Sequence, residues 1–328
     1  MKPTVFIHTS SHEIVSAKVA MYSHLRASTN LDKFDIKLIQ LEDYPHLMKR
    51  HAQSCIRFGK EAAWYNDVPQ SFLPLRFLVP QLMGYEGTAV LTDPDIFAVA
   101  DVYELLTRNM EDKAILCRRF GDKSRGYNSS VMLLDCSKLR NWKWEEKIDE
   151  VFAGKFDIQD WISLRTEPEE IIGNFEEEWN DYDTLTQKTK LLHNTRQITQ
   201  PWKTGLPFKE KNMNNHKKGE REETRHEKIY NIVKYNRYGK RRLLKSIKNI
   251  ILYGEPNLYQ KHPDVRQEKF FLSLLKESVS KGLVTSELLQ SEVKQGHIRP
   301  DIFNLLQSVN YSPSEVLQTA EPINKTGA

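Results

Sequence analysis

The chain has 328 residues, 39% apolar, 10% aromatic and 28% charged, with a formal net charge of +4. That composition excludes wholesale disorder, and the length suits roughly two structural units. No apolar run approaches the roughly 20 residues that cross a bilayer. The N-terminal stretch Met1-Lys2-Pro3-Thr4-Val5-Phe6-Ile7-His8 is too short in apolar residues for a signal-peptide core and reads as a first strand. Cys55, Cys117 and Cys136 are scattered and odd in number, so they make neither a disulfide framework nor a Cys-x-x-Cys metal clip. A soluble, cytoplasmic protein with buried or idle thiols is expected.

In chain order, Thr4–His8 reads as a strand. Glu13–Ala27 reads as a helix, with Val15, Val19, Tyr22 and Leu25 near one face. Asp35–Gln40 is a strand, and Phe72–Met83 an apolar helical stretch broken by Pro74 and Pro80. Thr88–Thr92 is a short apolar strand. Asp101-Val102-Tyr103-Glu104 has the form of a capping box and opens a helix. Ala114–Cys117 and Ser130–Asp135 are further strands. This alternation predicts an α/β domain with a largely parallel sheet.

The charge is uneven. Residues 209–250 carry 14 Lys and Arg against 5 Glu, whereas residues 251–328 carry 8 basic against 9 acidic residues. A mildly acidic body therefore gives way to a basic segment near Phe208. Three regions are expected: 1–208, the α/β domain; 209–255, a basic linker and amphipathic helix; and 256–328, a helical C-terminal region. The run Lys209–Lys218 has no hydrophobic period. After Gly239, the residues Leu243, Leu244, Ile247, Ile250 and Ile251 mark one helical face, with Lys240, Arg241, Arg242, Lys245 and Lys248 around it. The preferred reading packs that face on the body and leaves the basic residues solvated; contact with an anionic membrane surface is the second reading. No nucleic-acid module accompanies the patch, so nucleic acid is not an expected partner.

Gly254-Glu255-Pro256-Asn257 then breaks the chain, and His262-Pro263-Asp264 reads as a turn and helix start. Gln267–Ser280, Ser286–Gln295 and Pro300–Ser308 read as helices, with Gly282 as a stop and a polar, frayed tail after Pro313.

Open α/β sheets bind ligands beyond the carboxyl ends of their strands. After Ala89-Val90-Leu91-Thr92 comes Asp93-Pro94-Asp95. In extended geometry two carboxylates one residue apart lie on the same side of the chain, and Pro94 favours an extended residue before it. Such a pair suits a hard divalent cation, Mg²⁺ or Mn²⁺. A second pair, Asp181-Tyr182-Asp183, has no strand before it and reads as a solvated turn. The sequence has no G-x-x-x-x-G-K-[ST], no G-x-G-x-x-G and no G-x-S-x-G, which excludes P-loop, dinucleotide-fingerprint and hydrolase-elbow readings.

The order of motifs carries more than any one of them. Pro74-Leu75-Arg76 and the following apolar residues lead into Asp93-Pro94-Asp95 and then Asp101-Val102-Tyr103-Glu104. Next come Gly126-Tyr127-Asn128-Ser129-Ser130 and Gln159-Asp160-Trp161-Ile162. Trp179-Asn180 and Leu192-His193, followed by Gln200-Pro201-Trp202, complete the series. Over roughly residues 3–208 this resembles a GT-A-fold (Rossmann-like) glycosyltransferase, closest to glycosyltransferase family 8, in a divergent branch.

The resemblance implies a hexosyltransferase-like enzyme with a nucleotide-diphospho-sugar donor, a UDP-sugar, held through a divalent metal. Asp93, Asp95 and His193 match the family's metal ligands, and an imidazole beside two carboxylates tilts the choice from Mg²⁺ to Mn²⁺. Asn128 and Ser129 match the strand that lines the sugar pocket, and Gln159 the glutamine that faces the donor sugar. Arg76 lies where the family places an arginine near the diphosphate, and Thr9 and Ser10 where it holds the nucleoside.

Three positions depart from the pattern. Ile158 replaces the aspartate before Gln159, which leaves Asp157 or Asp160 to supply a catalytic carboxylate. Arg196 and Gln200 replace the motif's glycine and lysine, which passes the phosphate contact to Arg196 or Lys203. Transfer with retention is implied, to an acceptor that stays open: a saccharide, a lipid-linked group or a protein. The alternative is a catalytically weak nucleotide-sugar-binding or scaffold protein of the same fold.

Overall fold

A computed structural model of the protein describes residues 1–68, 70–121, 126–208, 223–234 and 239–319. The linker expected over Lys209–Lys218, and all of the tail beyond Thr319, lie outside the described residues.

Thr4–Thr9 (β1) and Thr88–Thr92 (β5) are rich in β-branched and apolar residues, and both become nearly fully buried central strands. Asp35–Gln40 (β2) runs parallel to β1, which runs parallel to β5. Tyr127–Asp135 (β8) lies antiparallel between β5 and Ile115–Arg119 (β7), and Ile172–Asn174 (β9) closes the edge parallel to β7. The order is β2-β1-β5-β8-β7-β9.

The sheet is therefore mixed rather than largely parallel. The link between β7 and β8, residues 120–126, is shorter than the roughly dozen residues a parallel crossover needs, so the two strands form a hairpin.

A second sheet joins Asp181–Tyr182 (β10), Leu191–His193 (β11) and Ile96–Ala98 (β6) in the order β10-β11-β6. Asp181 is thus part of a half-buried strand and not of a solvated turn. Ser54–Arg57 (β3) and Lys60–Ala63 (β4) form a separate hairpin whose two-residue turn, Phe58-Gly59, has φ of 50° and 69°. Two left-handed residues match the twist of a tight hairpin.

Helix Ile14–Ala27 (α1) follows β1 directly, and the short helix Pro45–Met48 (α2) follows β2. The apolar stretch before β5 is a 3-10 turn, Leu73–Leu78, leading into Val79–Leu82 (α3). The expected capping box at Asp101 does not form. Asp101 Oδ1 accepts from the Tyr103 N–H at 3.0 Å, while Glu104 is drawn into an ion pair with Lys190, so the helix is only Tyr103–Leu106 (α4). Trp144–Phe152 (α5) and Ile158–Ile162 (α6) complete the body.

Beyond it lie Arg225–Lys234 (α7), Lys240–Tyr253 (α8), Val265–Ser280 (α9), Ser286–Gln295 (α10), Ile302–Ser308 (α11) and Pro313–Gln318 (α12). Gly254 and Gly282 adopt the left-handed conformation that ends a helix. Asp264 accepts from the Arg266 N–H and caps α9, so His262-Pro263-Asp264 is a turn and helix start. The tail's first described residues, Pro313–Gln318, form α12, held by a reciprocal Ser312–Glu315 capping box.

The basic helix α8 departs from expectation. Ile250 is buried, but Leu244 and Ile251, on the same face, are each 57% exposed.

Trp202 joins the C-terminal helices to the body. Its ring lies 5.8 Å from Phe97 of β6 and 4.9 Å from Phe271 of α9, and all three are buried. Asn194 Nδ2 donates to Gln267 Oε1 at 2.5 Å beside them. Cys55, Cys117 and Cys136 are free and buried. No helix among the described residues is long and apolar enough to cross a membrane.

Candidate functional site

A cleft of about 420 Å³ opens at the carboxyl ends of β1 and β5, where the sequence places Asp93-Pro94-Asp95. Strand register builds it. Ile7 of β1 pairs with Thr92 of β5, so the next residues, His8 and Asp93, come side by side. His193 of β11 pairs with Ile96 of β6, and the Asn194 N–H donates to the Asp95 carbonyl at 3.1 Å. Two strand pairings thus carry Asp93, Asp95 and His193 together, with one ligand atom of each within 4.8 Å of the others.

His193 is prepared to accept a cation. Its Nδ1 donates to Asn180 Oδ1 at 2.8 Å. The Asn180 amide nitrogen donates to Ser130 Oγ at 3.1 Å, which fixes the amide with its oxygen towards the ring. That tautomer leaves the Nε2 lone pair facing Asp95 Oδ1 at 3.5 Å. Asp95 Oδ1 is buried and has no hydrogen-bond partner, while Oδ2 accepts from Gln200 Nε2 at 3.2 Å.

Burial, with the neighbouring charges of Asp93 and Glu13, raises the Asp95 pKa well above the carboxylate range. Burial lowers that of His193 to about 4, so the ring is neutral. A divalent cation would offset the burial and the neighbouring negative charge that hold Asp95 protonated, and so fits an orphaned carboxyl oxygen beside an unprotonated imidazole nitrogen.

Asp93 is tied down more firmly. Burial would raise its pKa, but Arg76 and His8 outweigh that effect and hold it at about 2. His8 is fully buried, with Nε2 2.5 Å from Asp93 Oδ1 and Nδ1 3.1 Å from the Phe72 carbonyl. The Arg76 side chain reaches both Asp93 and Ser129. Ser129, which also lines the cleft, donates its Oγ hydrogen to the Ile162 carbonyl at 2.5 Å.

Lys203 and Glu13 form a buried ion pair at the rim, with Trp202 Nε1 also donating to Glu13 at 3.3 Å. Burial opposes the Lys203 charge, but Glu13 prevails and its pKa is raised. Gln159 lines the cleft from α6, and its Nε2 donates to Ser163 Oγ at 3.0 Å. Asn128 lines it from β8, where its Oδ1 accepts from the Ser130 N–H at 2.9 Å.

Other expected residues are placed elsewhere. Asp157 caps α6, with Oδ1 accepting from the Gln159 N–H at 2.7 Å and Oδ2 from the Gly59 N–H at 2.6 Å. Asp160 turns outward, where Arg165 Nε donates to it at 2.7 Å. Neither carboxylate lines the cleft: helix capping occupies Asp157 and an ion pair occupies Asp160.

Thr9 and Ser10 are wholly buried at the end of β1 and do not line it either. Arg196 is exposed, with its N–H on Asp183. Conversely, His8, Glu13, Arg57, Asn180 and Tyr259 enter the site or support it without having been singled out. Asn180 stood within the quoted Trp179-Asn180 pair, whereas Arg57 and Tyr259 come from a hairpin and a C-terminal segment that carried no motif.

No protein-family model and no curated protein matches the sequence. Solved structures similar to the chain include the glycosyltransferase GlyE of Streptococcus pneumoniae TIGR4. It is 15% identical, with 62% of this chain and 56% of that one covered at a TM-score of 0.45. The galactosyltransferase LgtC, solved with donor and acceptor sugar analogs, is 12% identical over 61% of this chain and 89% of its own, at 0.43. Mouse xyloside xylosyltransferase 1 is 14% identical over 60% and 98%, at 0.39. The chain spans just over half the length of GlyE.

Proposed function

We propose that the chain is a metal-dependent glycosyltransferase of the GT-A fold that uses a UDP-sugar donor. The observation that carries this reading is the meeting of Asp93, Asp95 and His193 at the strand ends, with Asp95 Oδ1 unpartnered and His193 Nε2 free to bind. These three residues would hold Mn²⁺ or Mg²⁺. Such an ion would supply positive charge to offset the charge of a diphosphate leaving group.

Lys203 supplies a second positive charge for the diphosphate at the rim. Arg76 and His8 fix the Asp93 carboxylate. Gln159, Asn128 and Ser163 offer neutral polar groups for the sugar. Retention of configuration follows from the family resemblance alone. Residues 1–208 form the transferase unit in this reading, with 256–319 supporting it through Trp202 and Tyr259. The acceptor is a saccharide, a lipid-linked group or a protein.

The test is release of UDP from a panel of UDP-sugars with Mn²⁺, with Mg²⁺ and with EDTA. Metal-dependent release that Asp95→Asn abolishes supports the enzyme. A second reading, a nucleotide-sugar-binding protein of weak activity, is favoured by one observation: neither Asp157 nor Asp160 lines the cleft, and each is engaged elsewhere. Metal-dependent binding of UDP-sugars without turnover would select it.

A further inference from the structure

Three Lys and Arg side chains line the cleft among the described residues: Arg57, Arg76 and Lys203. Arg76 holds Asp93 and Lys203 holds Glu13. Arg57 has no such partner. Its Nη2 donates to the amide oxygens of Gln70 at 3.2 Å and Gln159 at 3.4 Å, and its Nε and Nη1 have no hydrogen-bond partner. Arg57 as a whole is 6% exposed. Burial lowers its pKa to about 10, so it remains charged at neutral pH. Asp157 acts on it through space but forms no ion pair with it. A buried cation whose hydrogen bonds go only to neutral amide oxygens is an unfavourable arrangement, which a bound anion would relieve.

The placement is built into the fold. Arg57 ends β3, and the Phe58-Gly59 turn that follows is tied to α6 by the Gly59 N–H on Asp157 Oδ2, at 2.6 Å. The Phe58 ring lies 5.5 Å from the guanidinium. Arg57 therefore belongs with Gln159 of α6 and Ser163 at its end, and not with Asp95, just before β6, and His193 of β11. A diphosphate at the cation site would already have Lys203 beside it.

We infer that Arg57 is a subsite for an anionic group of the substrate, a carboxylate or phosphate lying beyond the donor diphosphate, carried by the transferred sugar or by the acceptor. This rests on the glycosyltransferase reading and narrows its substrate class to acidic sugars or acidic acceptors.

The test uses the Mn²⁺-loaded full chain and its Arg57→Gln and Arg57→Lys variants, each checked by its melting temperature. One titration series compares UDP, UDP-glucose and UDP-glucuronate. A second adds glucose, glucuronate or glucose 6-phosphate to the Mn²⁺–UDP complex. A charge-assisted contact predicts about tenfold tighter binding of an anionic probe than of its neutral counterpart. That preference should vanish in Arg57→Gln, survive in Arg57→Lys and leave UDP affinity unchanged.

A preference in the first series places the anion on the sugar; in the second, on the acceptor. Equal affinity for charged and neutral probes in the wild type, or loss of UDP binding itself in Arg57→Gln, overturns the inference and leaves the donor site standing. A wild-type protein that binds no UDP at all removes the donor reading and this inference with it.

Discussion

Arg76 Nη2 donates to both carboxylate oxygens of Asp93, at 2.7 and 2.5 Å, while its Nη1 donates to Ser129 Oγ at 2.7 Å. The three residues come from the 3-10 turn before β5, the end of β5, and β8. One guanidinium therefore ties the helical wall to the sheet where the cation site begins. Removing it leaves a buried carboxylate facing only His8. Arg76→Gln is expected to lower unfolding stability by about 3–5 kcal/mol, the usual cost of breaking a buried pair from one side. Urea titration reads this directly, and an unchanged midpoint would contradict the clamp.

The pair between Glu13 and Lys203 is buried at the rim and shared with Trp202 Nε1. Lys203→Met strands the Glu13 charge, and Glu13→Gln strands the ammonium. Each single variant should be destabilised by about 3 kcal/mol, and the double variant by less than the sum of the two. A double-mutant cycle in urea measures the coupling. Strict additivity would mean that the pair contributes nothing of its own.

Gly126, just before β8, has φ of 76°, and a Cβ built there would lie 2.5 Å from the Ser163 carbonyl oxygen. The same carbonyl accepts from the Tyr127 N–H at 3.0 Å. Gly126→Ala must move α6 away from β8, and with it Gln159 from Asn128. The expected loss is about 2 kcal/mol of stability from backbone strain and contact. Sugar-nucleotide affinity should fall more than UDP affinity, as calorimetry would show. An alanine variant as stable as the wild type would refute the close approach.

His24 is fully buried in α1 with neither ring nitrogen hydrogen-bonded. Burial lowers its pKa from 6.5 to about 4, against a smaller opposing effect of Asp101. The unfolded chain binds a proton here that the folded one refuses. This contribution to stability is therefore fully present above about pH 6.5 and is lost as pH falls towards 4, by about 3 kcal/mol in all. His24→Leu should flatten that acid limb in unfolding titrations at pH 7 and 4.5. An equally steep limb in the variant would assign it to other groups.

Much of this architecture was legible because the strands are short runs of alternating or continuous apolar residues. Asp35–Gln40 and Thr88–Thr92 read from sequence with the bounds they have in the structure. The carboxylates at a strand end were legible for the same reason. The antiparallel course of β8 followed from a seven-residue connection whose meaning depends on tertiary pairing. The β3–β4 hairpin was hidden because its turn is Phe58-Gly59, not a familiar Asn-Gly or Asp-Gly pair.

Asp157 and Asp160 carried the right chemistry for a catalytic role, but local geometry directed them elsewhere. A residue that caps a one-turn helix cannot also point across it. The exposed leucine and isoleucine on α8 show the converse. Periodicity identifies an apolar face but not what covers it.

The central claim is a metal-dependent nucleotide site at Asp93, Asp95 and His193. Calorimetric titration with UDP, in Mn²⁺ and then with EDTA, tests it most directly when run beside an Asp93→Asn/Asp95→Asn variant. The account predicts saturable binding that requires the metal and disappears in the variant while its circular dichroism stays native. UDP binding that ignores EDTA and survives in the variant, or no binding with either metal, would contradict it.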